Sequence, residues 1–140
     1  MNPVLFDSSV YITALRNRQE GPGALRRLEP TAPVWLSSVV LEELYAGAGS
    51  KDRVVVERLE RDFDKARRIL VPNLTDWAQT GKVLARLAAK HGYEHIGRGR
   101  LTNDALIATS ASRAGISVIT ANARDFAKLA EFTSLLWSVL

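Results

Sequence analysis

Apolar residues along this chain follow two different periods. Short runs at 4–6, 34–36, 69–71 and 116–119 are too brief for helices and sit beside Pro, Gly, Ser or Asn, which predicts four strands. A weaker run at 133–137 predicts a fifth near the end. Between them, Val39, Val40, Leu44 and Tyr45, and then Trp77, Leu84, Leu87 and Ala88, fall on single helical faces. Strands alternating with helices predict an α/β fold with a central, mostly parallel sheet covered on both sides.

Punctuation supports these elements. Asn103 is placed to cap the helix DALIATSASRA and Gly115 to stop it, while Thr75 or Asn73 can cap the helix carrying Trp77. Residues 51–68 are highly charged, with Val54, Val55, Leu59 and Phe63 as a thin apolar stripe. They predict an exposed helix, either a partner surface or a solvated face. The stretch HGYEHIGRGRL, 91–101, has no consistent period and predicts a loop. There is no repeat, low-complexity tract or linker, so a single domain over 1–140 is expected.

Composition narrows the chemistry. With 140 residues, 46% of them hydrophobic and 24% charged, the chain can bury a full core. Lys and Arg exceed Asp and Glu by 19 to 15, giving a net charge of +4, which favours a polyanionic partner. Cysteine is absent, which excludes disulfides, thiolate zinc sites and cysteine nucleophiles. His91 and His95 are too few for a three-histidine metal site. The N-terminus has no signal-peptide pattern and no window reaches the roughly 20 apolar residues of a membrane span, so a cytoplasmic protein without membrane contact is expected.

Four acids stand where such a fold would carry chemistry. Asp7 and Asp125 follow predicted strands, Glu43 lies early in a helix after the second strand, and Asp104 starts another helix. In a parallel sheet the strand-to-helix turns open at the carboxyl edge, where ligand crevices form, so acids distant in sequence can converge there. Singly, each Asp is an ordinary helix cap and Glu43 a solvated helix residue. Glu42 points about 100° away from Glu43 around its helix, so one of the pair faces any shared site. Two carboxylates about 4 Å apart repel by about 4 kcal/mol at an effective dielectric of 20, so a cluster must be protonated or neutralised by cations. Oxygen ligands alone point to Mg²⁺ or Mn²⁺, which suits phosphodiester hydrolysis.

The segments FDSSVYI, SSVVLEELYAG, NDALIATSA and ITANARDF, in this order, resemble the motifs of PIN-domain ribonucleases, and the compact size most resembles VapC toxins of toxin–antitoxin pairs. The resemblance runs from Val4 to Phe126. It implies a PIN-like α/β/α sandwich and Mg²⁺-dependent endonucleolytic cleavage of RNA, with Mn²⁺ able to substitute. Residue by residue, it places Asp7, Glu43 and Asp104 on the family's acidic positions and favours Glu43 over Glu42, with Asp7 and Asp104 as direct metal ligands. Many members carry a fourth acid where this chain has Asn122. Asp125, three residues on, either completes the cluster, binds through water or caps the last helix. Ser9 and Thr120, with Asn122, are candidates for steadying the ligands or positioning water. The resemblance further implies a cognate antitoxin whose segment covers the cleft, and a homodimer.

Substrate contacts are read more loosely. Arg98 and Arg100, between glycines, can reach backbone phosphates beside the Asp104 helix, and Tyr93 can stack on an unpaired base, although a plain surface loop has the same composition. His91 and His95 have no evident catalytic partner. A receiver-like signalling module would need an Asp after the third strand, where only Val71, Pro72 and Asn73 occur. A catalytically weak domain that binds RNA or an antitoxin is the remaining alternative, for which Asn122 is the motive.

Overall fold

The computed structural model describes residues 2–17, 32–92 and 100–140. Tyr93, His95 and Arg98 lie outside the described residues, and so does the side chain of Arg100. The element order is β1 (Val4–Phe6), α1 (Ser8–Asn17), β2 (Val34–Ser37), α2 (Ser38–Gly47), α3 (Ser50–Lys65), β3 (Ile69–Leu70), α4 (Leu74–His91), α5 (Arg100–Ala114), β4 (Ser117–Thr120), α6 (Ala123–Ala130) and β5 (Trp137–Val139).

The five strands form one sheet in the order β3-β2-β1-β4-β5, and every neighbouring pair is parallel. From β1 the chain winds outward to β3, then returns to the opposite side of β1 for β4 and β5. The winding therefore reverses between β1 and β4, and a doubly wound sheet opens its ligand crevice at the carboxyl ends of such a pair. Register fixes what meets there: Phe6 pairs with Ile119, so Asp7 follows β1 alongside Thr120 at the end of β4.

Burial on both faces explains the continuous apolar strands, with Leu5, Phe6, Leu36 and Val118 all inaccessible. Phe6 meets Tyr11 edge to face, with ring centroids 6.1 Å apart. Helix α5 is buried nearly all round, through Ala105, Leu106, Ile107, Ala108 and Ala111. Its buried Ser110 hydroxyl donates to the Leu106 carbonyl at 2.6 Å, satisfying a polar group the core could not otherwise hold.

Several expected boundaries shift for local reasons. The last strand is Trp137–Val139 rather than 133–137, because Leu135 N–H closes a turn on the Thr133 carbonyl and Ser112 Oγ donates to the Ser134 carbonyl. The third strand is only Ile69–Leu70; Val71 is exposed and Pro72 has no N–H to continue the ladder. The predicted loop 91–101 gives way to helix at both ends, with His91 closing α4 and Arg100 opening α5. Asn103 consequently lies inside the first turn of α5 and does not cap it. In α3 the buried stripe is Val56, Leu59 and Phe63, while Val54 is 56% exposed. Leu59 and Phe63 are buried as expected, and Val56 takes the place of Val54 because it completes the three- and four-residue helical spacing.

Asn73, not Thr75, caps α4: its side chain accepts from Asp76 N–H and the Asp76 carboxylate accepts from Asn73 N–H, both at 2.9 Å. The buried Asp76 carboxylate also takes Arg113 Nε at 2.9 Å from each oxygen, and the Thr80 and Thr109 hydroxyls bond at 2.8 Å. Together these bonds cross-link α4 to α5, the helix that carries Asp104.

Two helix ends share one device. After α5, Ile116 N–H bonds the Ala111 carbonyl and Gly115 N–H the Ser112 carbonyl, with Gly115 at φ 70°. After α3, Arg68 N–H bonds the Phe63 carbonyl and Arg67 N–H the Asp64 carbonyl, with Arg67 at φ 57°. A side chain in this left-handed region costs about 1 kcal/mol or more. Arg67→Gly is therefore expected to raise unfolding stability by about 1 kcal/mol, and Gly115→Ala to lower it by a similar amount. Urea denaturation of the two variants beside the parent measures both signs.

Candidate active site

The site begins with Asp7, whose position is set by the sheet itself. Its N–H bonds the Ile119 carbonyl at 3.0 Å, and its side chain is 3% exposed. Oδ1 accepts from Ser9 Oγ and Oδ2 accepts from Thr120 Oγ1 at 2.7 Å. A hydroxyl has one proton to give, so these bonds fix both hydroxyls as donors to Asp7. Their oxygens in turn accept: Ala121 N–H donates to Ser9 Oγ at 3.1 Å and Asn122 N–H to Thr120 Oγ1 at 2.8 Å. Burial pushes the Asp7 pKa up, while the bonds from Ser9 and Thr120 pull it back toward the ionised form.

Around this anchor stand the other three acids. Glu43 is half-buried on α2, whereas Glu42 is exposed. Burial raises the Glu43 pKa, hydrogen bonding from Ser8 and Asn103 opposes the rise, and the charges of Glu42 and Asp7 add to it. Glu43 Oε1 is buried without a hydrogen-bond partner. Asp104, in the first turns of α5, has its pKa pushed up to about 8, first by burial and then by the charges of Asp7, Glu43 and Asp125. Asp104 thus feels the charge of all three other acids named from the sequence. Asp125, in the first turn of α6, accepts from Asn122 Nδ2 at 2.9 Å, so Asn122 contributes a donor at this edge of the cluster.

The donors are all oxygens and carry excess negative charge. Among the described residues, no three of these side chains are grouped tightly enough to hold an ion between them as they stand. What fits a hard divalent cation is the chemistry: a buried carboxylate oxygen with no partner, and a carboxyl whose pKa is raised by burial and by its acidic neighbours. Asp7, Glu43 and Asp104 would hold such an ion, with Asp125 at the margin.

Two residues at the site escape sequence reasoning. Ser8, at the start of α1, lowers the Glu43 pKa, and Asn103 donates to Glu42 from α5. Ser8 is hidden beside the more obvious Ser9, and Asn103 has the appearance of a helix cap. His91 is turned elsewhere: with Lys90 it meets Glu131 on the surface, at 3.4 Å and 2.7 Å.

The Asp104 shift has a stability consequence. A carboxyl whose pKa is raised on folding binds its proton more tightly folded than unfolded, so stability falls as pH rises from about 4 to about 8. The metal-free protein is expected to melt at higher temperature at pH 5 than at pH 8, and Asp104→Asn to flatten that slope. Thermal melts of both proteins across this window in a chelating buffer provide the check.

A family model for the PIN domain matches residues 4–132. Solved structures with the same fold include DNA-bound VapBC from Salmonella typhimurium, 22% identical over 99% of this chain and 98% of that one, with a TM-score of 0.70. VapBC2 from Rickettsia felis, bound to a promoter DNA fragment, is 19% identical over 98% of each chain at 0.68. VapBC-5 from Mycobacterium tuberculosis, a member of the VapBC family of toxin–antitoxin systems, is 25% identical over the whole of both chains at 0.58. No curated protein sequence matches the chain. The family model spans β1 through α6 and so takes in all four acids and the sheet edge that gathers them: the chain belongs to the PIN domain family.

Proposed function

We propose that this protein is a divalent-metal-dependent endoribonuclease, and the toxin of a VapBC-type toxin–antitoxin pair. One observation carries the reading: four carboxylates share the carboxyl edge of the sheet at its winding reversal, with Glu43 Oε1 buried and unpartnered. An uncompensated buried acceptor and mutual repulsion are costs with no structural return, but both are relieved by a cation.

When bound, Mg²⁺ or Mn²⁺ supplies the Lewis acidity that activates water and offsets charge on the phosphate. Asp7 provides a fixed ligand, since Ser9 and Thr120 lock both of its oxygens from behind. Glu43 and Asp104 complete the donor set from α2 and α5. Asp104 gives up its proton as a cation takes its place, which ties ion binding to pH. Asp125, steadied by Asn122, is suited to orienting water at the rim. RNA is the proposed substrate, approached through the basic balance of the chain and through Arg98 and Arg100 before and at the start of α5.

The solved neighbours are VapBC assemblies, which supports an antitoxin as the partner of this chain; the proposal adds that a segment of it covers the acid cleft and that the nuclease is a homodimer. No helix among the described residues is long and apolar enough to cross a membrane, in keeping with action in the cytoplasm.

Purified protein incubated with a mixed structured RNA pool is expected to cut it with Mg²⁺ or Mn²⁺ and not with EDTA. Changes behind metal ligands typically cost 10 to 100-fold, so Asp7→Asn and Asp104→Asn are expected to lose about 100-fold or more. Undiminished cleavage by either variant, with its fold intact by circular dichroism, would sink the reading.

A further inference from the structure

Asn103 occupies a position that its own helix does not explain. It lies inside the first turn of α5, where asparagine is a poorer helix former than alanine and no capping bond compensates it. Its side chain is engaged across the interhelical gap instead. Nδ2 donates to Glu42 Oε2 on α2 at 3.3 Å, which ties the neighbour of Glu43 on α2 to the neighbour of Asp104 on α5.

A carboxamide nitrogen carries two protons and no charge. It bonds an acid of α2 without introducing a cation that would occupy the place of a metal. Lysine or arginine at this position would neutralise the acids, while serine has a single proton to give. Beside this tie, Glu43 Oε1 is left buried and unpartnered.

We propose that Asn103 is a positioning residue: through its bond to the exposed Glu42 it fixes α5 against α2, and so sets the spacing of Asp104 and Glu43 for a shared cation. Glu42 then has a function despite its exposure, as the outer post of the bridge. This inference rests on the metal-dependent nuclease reading and adds to it two residues that touch neither metal nor RNA.

The test is Mn²⁺ affinity, read by electron paramagnetic resonance on the purified chain without substrate, alongside kcat and KM for RNA cleavage and a thermal melt. Asn103→Ala is expected to weaken Mn²⁺ binding about tenfold, within the range for groups that orient ligands, while the melting temperature holds or rises because alanine suits the helix better. Asn103→Gln, which keeps both protons on a longer arm, is expected to recover part of the loss. Glu42→Ala should weaken binding similarly and add little on top of Asn103→Ala, because the two changes break the same bridge. If the parent binds Mn²⁺ and Glu43→Gln weakens it while Asn103→Ala binds as the parent does, the positioning role is overturned and the metal centre stands. If the folded parent binds no Mn²⁺, the metal-centre reading falls and the positioning role falls with it.

Discussion

The structure turns on one short set of hydrogen bonds across the winding reversal of the sheet. Asp7 leaves β1 almost wholly buried, and its two oxygens are held by Ser9 from its own helix and by Thr120 from the end of β4. Neither hydroxyl is loosely placed, since each is fixed in turn by an N–H from the segment that follows β4. A carboxylate taken out of water needs such compensation. The same bonds stitch together the two strands between which the crevice opens. Site geometry and sheet geometry are thus one constraint, and the parallel register of β1 with β4 places both partners without further adjustment.

Much of this was legible in the chain because parallel strands and helices write their burial directly into it. The runs at Val4 and Val118 are apolar without alternation since both faces are covered, and Asp7 and Thr120 stand out as the first polar residues after them. The four acids were therefore locatable as junction residues, and the structure places the other three within electrostatic reach of Asp104. Boundaries read less well where a residue has two plausible employments. Asn103 has the profile of a cap but faces across to α2, and the start of the α3 stripe was misplaced because Val54, Val55 and Val56 are interchangeable by composition. The bond from Arg113 to Asp76 could not be read at all: it joins residues 37 apart, and no local pattern pairs them.

That unpredicted pair matters for the site through rigidity. Asp104 rides on α5, and α5 is pinned to α4 by Asp76, Arg113, Thr80 and Thr109 and packed on nearly every side. A carboxyl pushed up to about 8 by burial and by its acidic neighbours meets an electrostatic penalty whenever it ionises, and a loosely held helix would relieve that by moving away. Here it cannot move cheaply, because its displacement would strip the buried Asp76 of its half-exposed arginine partner and open the core. The repulsion is retained in the fold and becomes available to whatever cation relieves it.

The same electrostatics bear on how a basic protein with an acidic cleft would handle RNA. The net charge of +4 draws a polyanion toward the surface over distances of about a Debye length, near 8–10 Å. At the cluster the sign reverses: a phosphate about 4 Å from a single carboxylate is opposed by about 4 kcal/mol at an effective dielectric of 20. On the proposed reading, then, ion and phosphate cannot bind independently. A cation converts the cleft from repelling to accepting the scissile group, and by linkage a docked phosphate must tighten the hold on the cation to the same degree. A cluster whose carboxylates do not close into a finished shell by themselves is consistent with that dependence. The remaining coordination is left for water and for the phosphate, which is how hard divalent ions are commonly shared between protein and substrate.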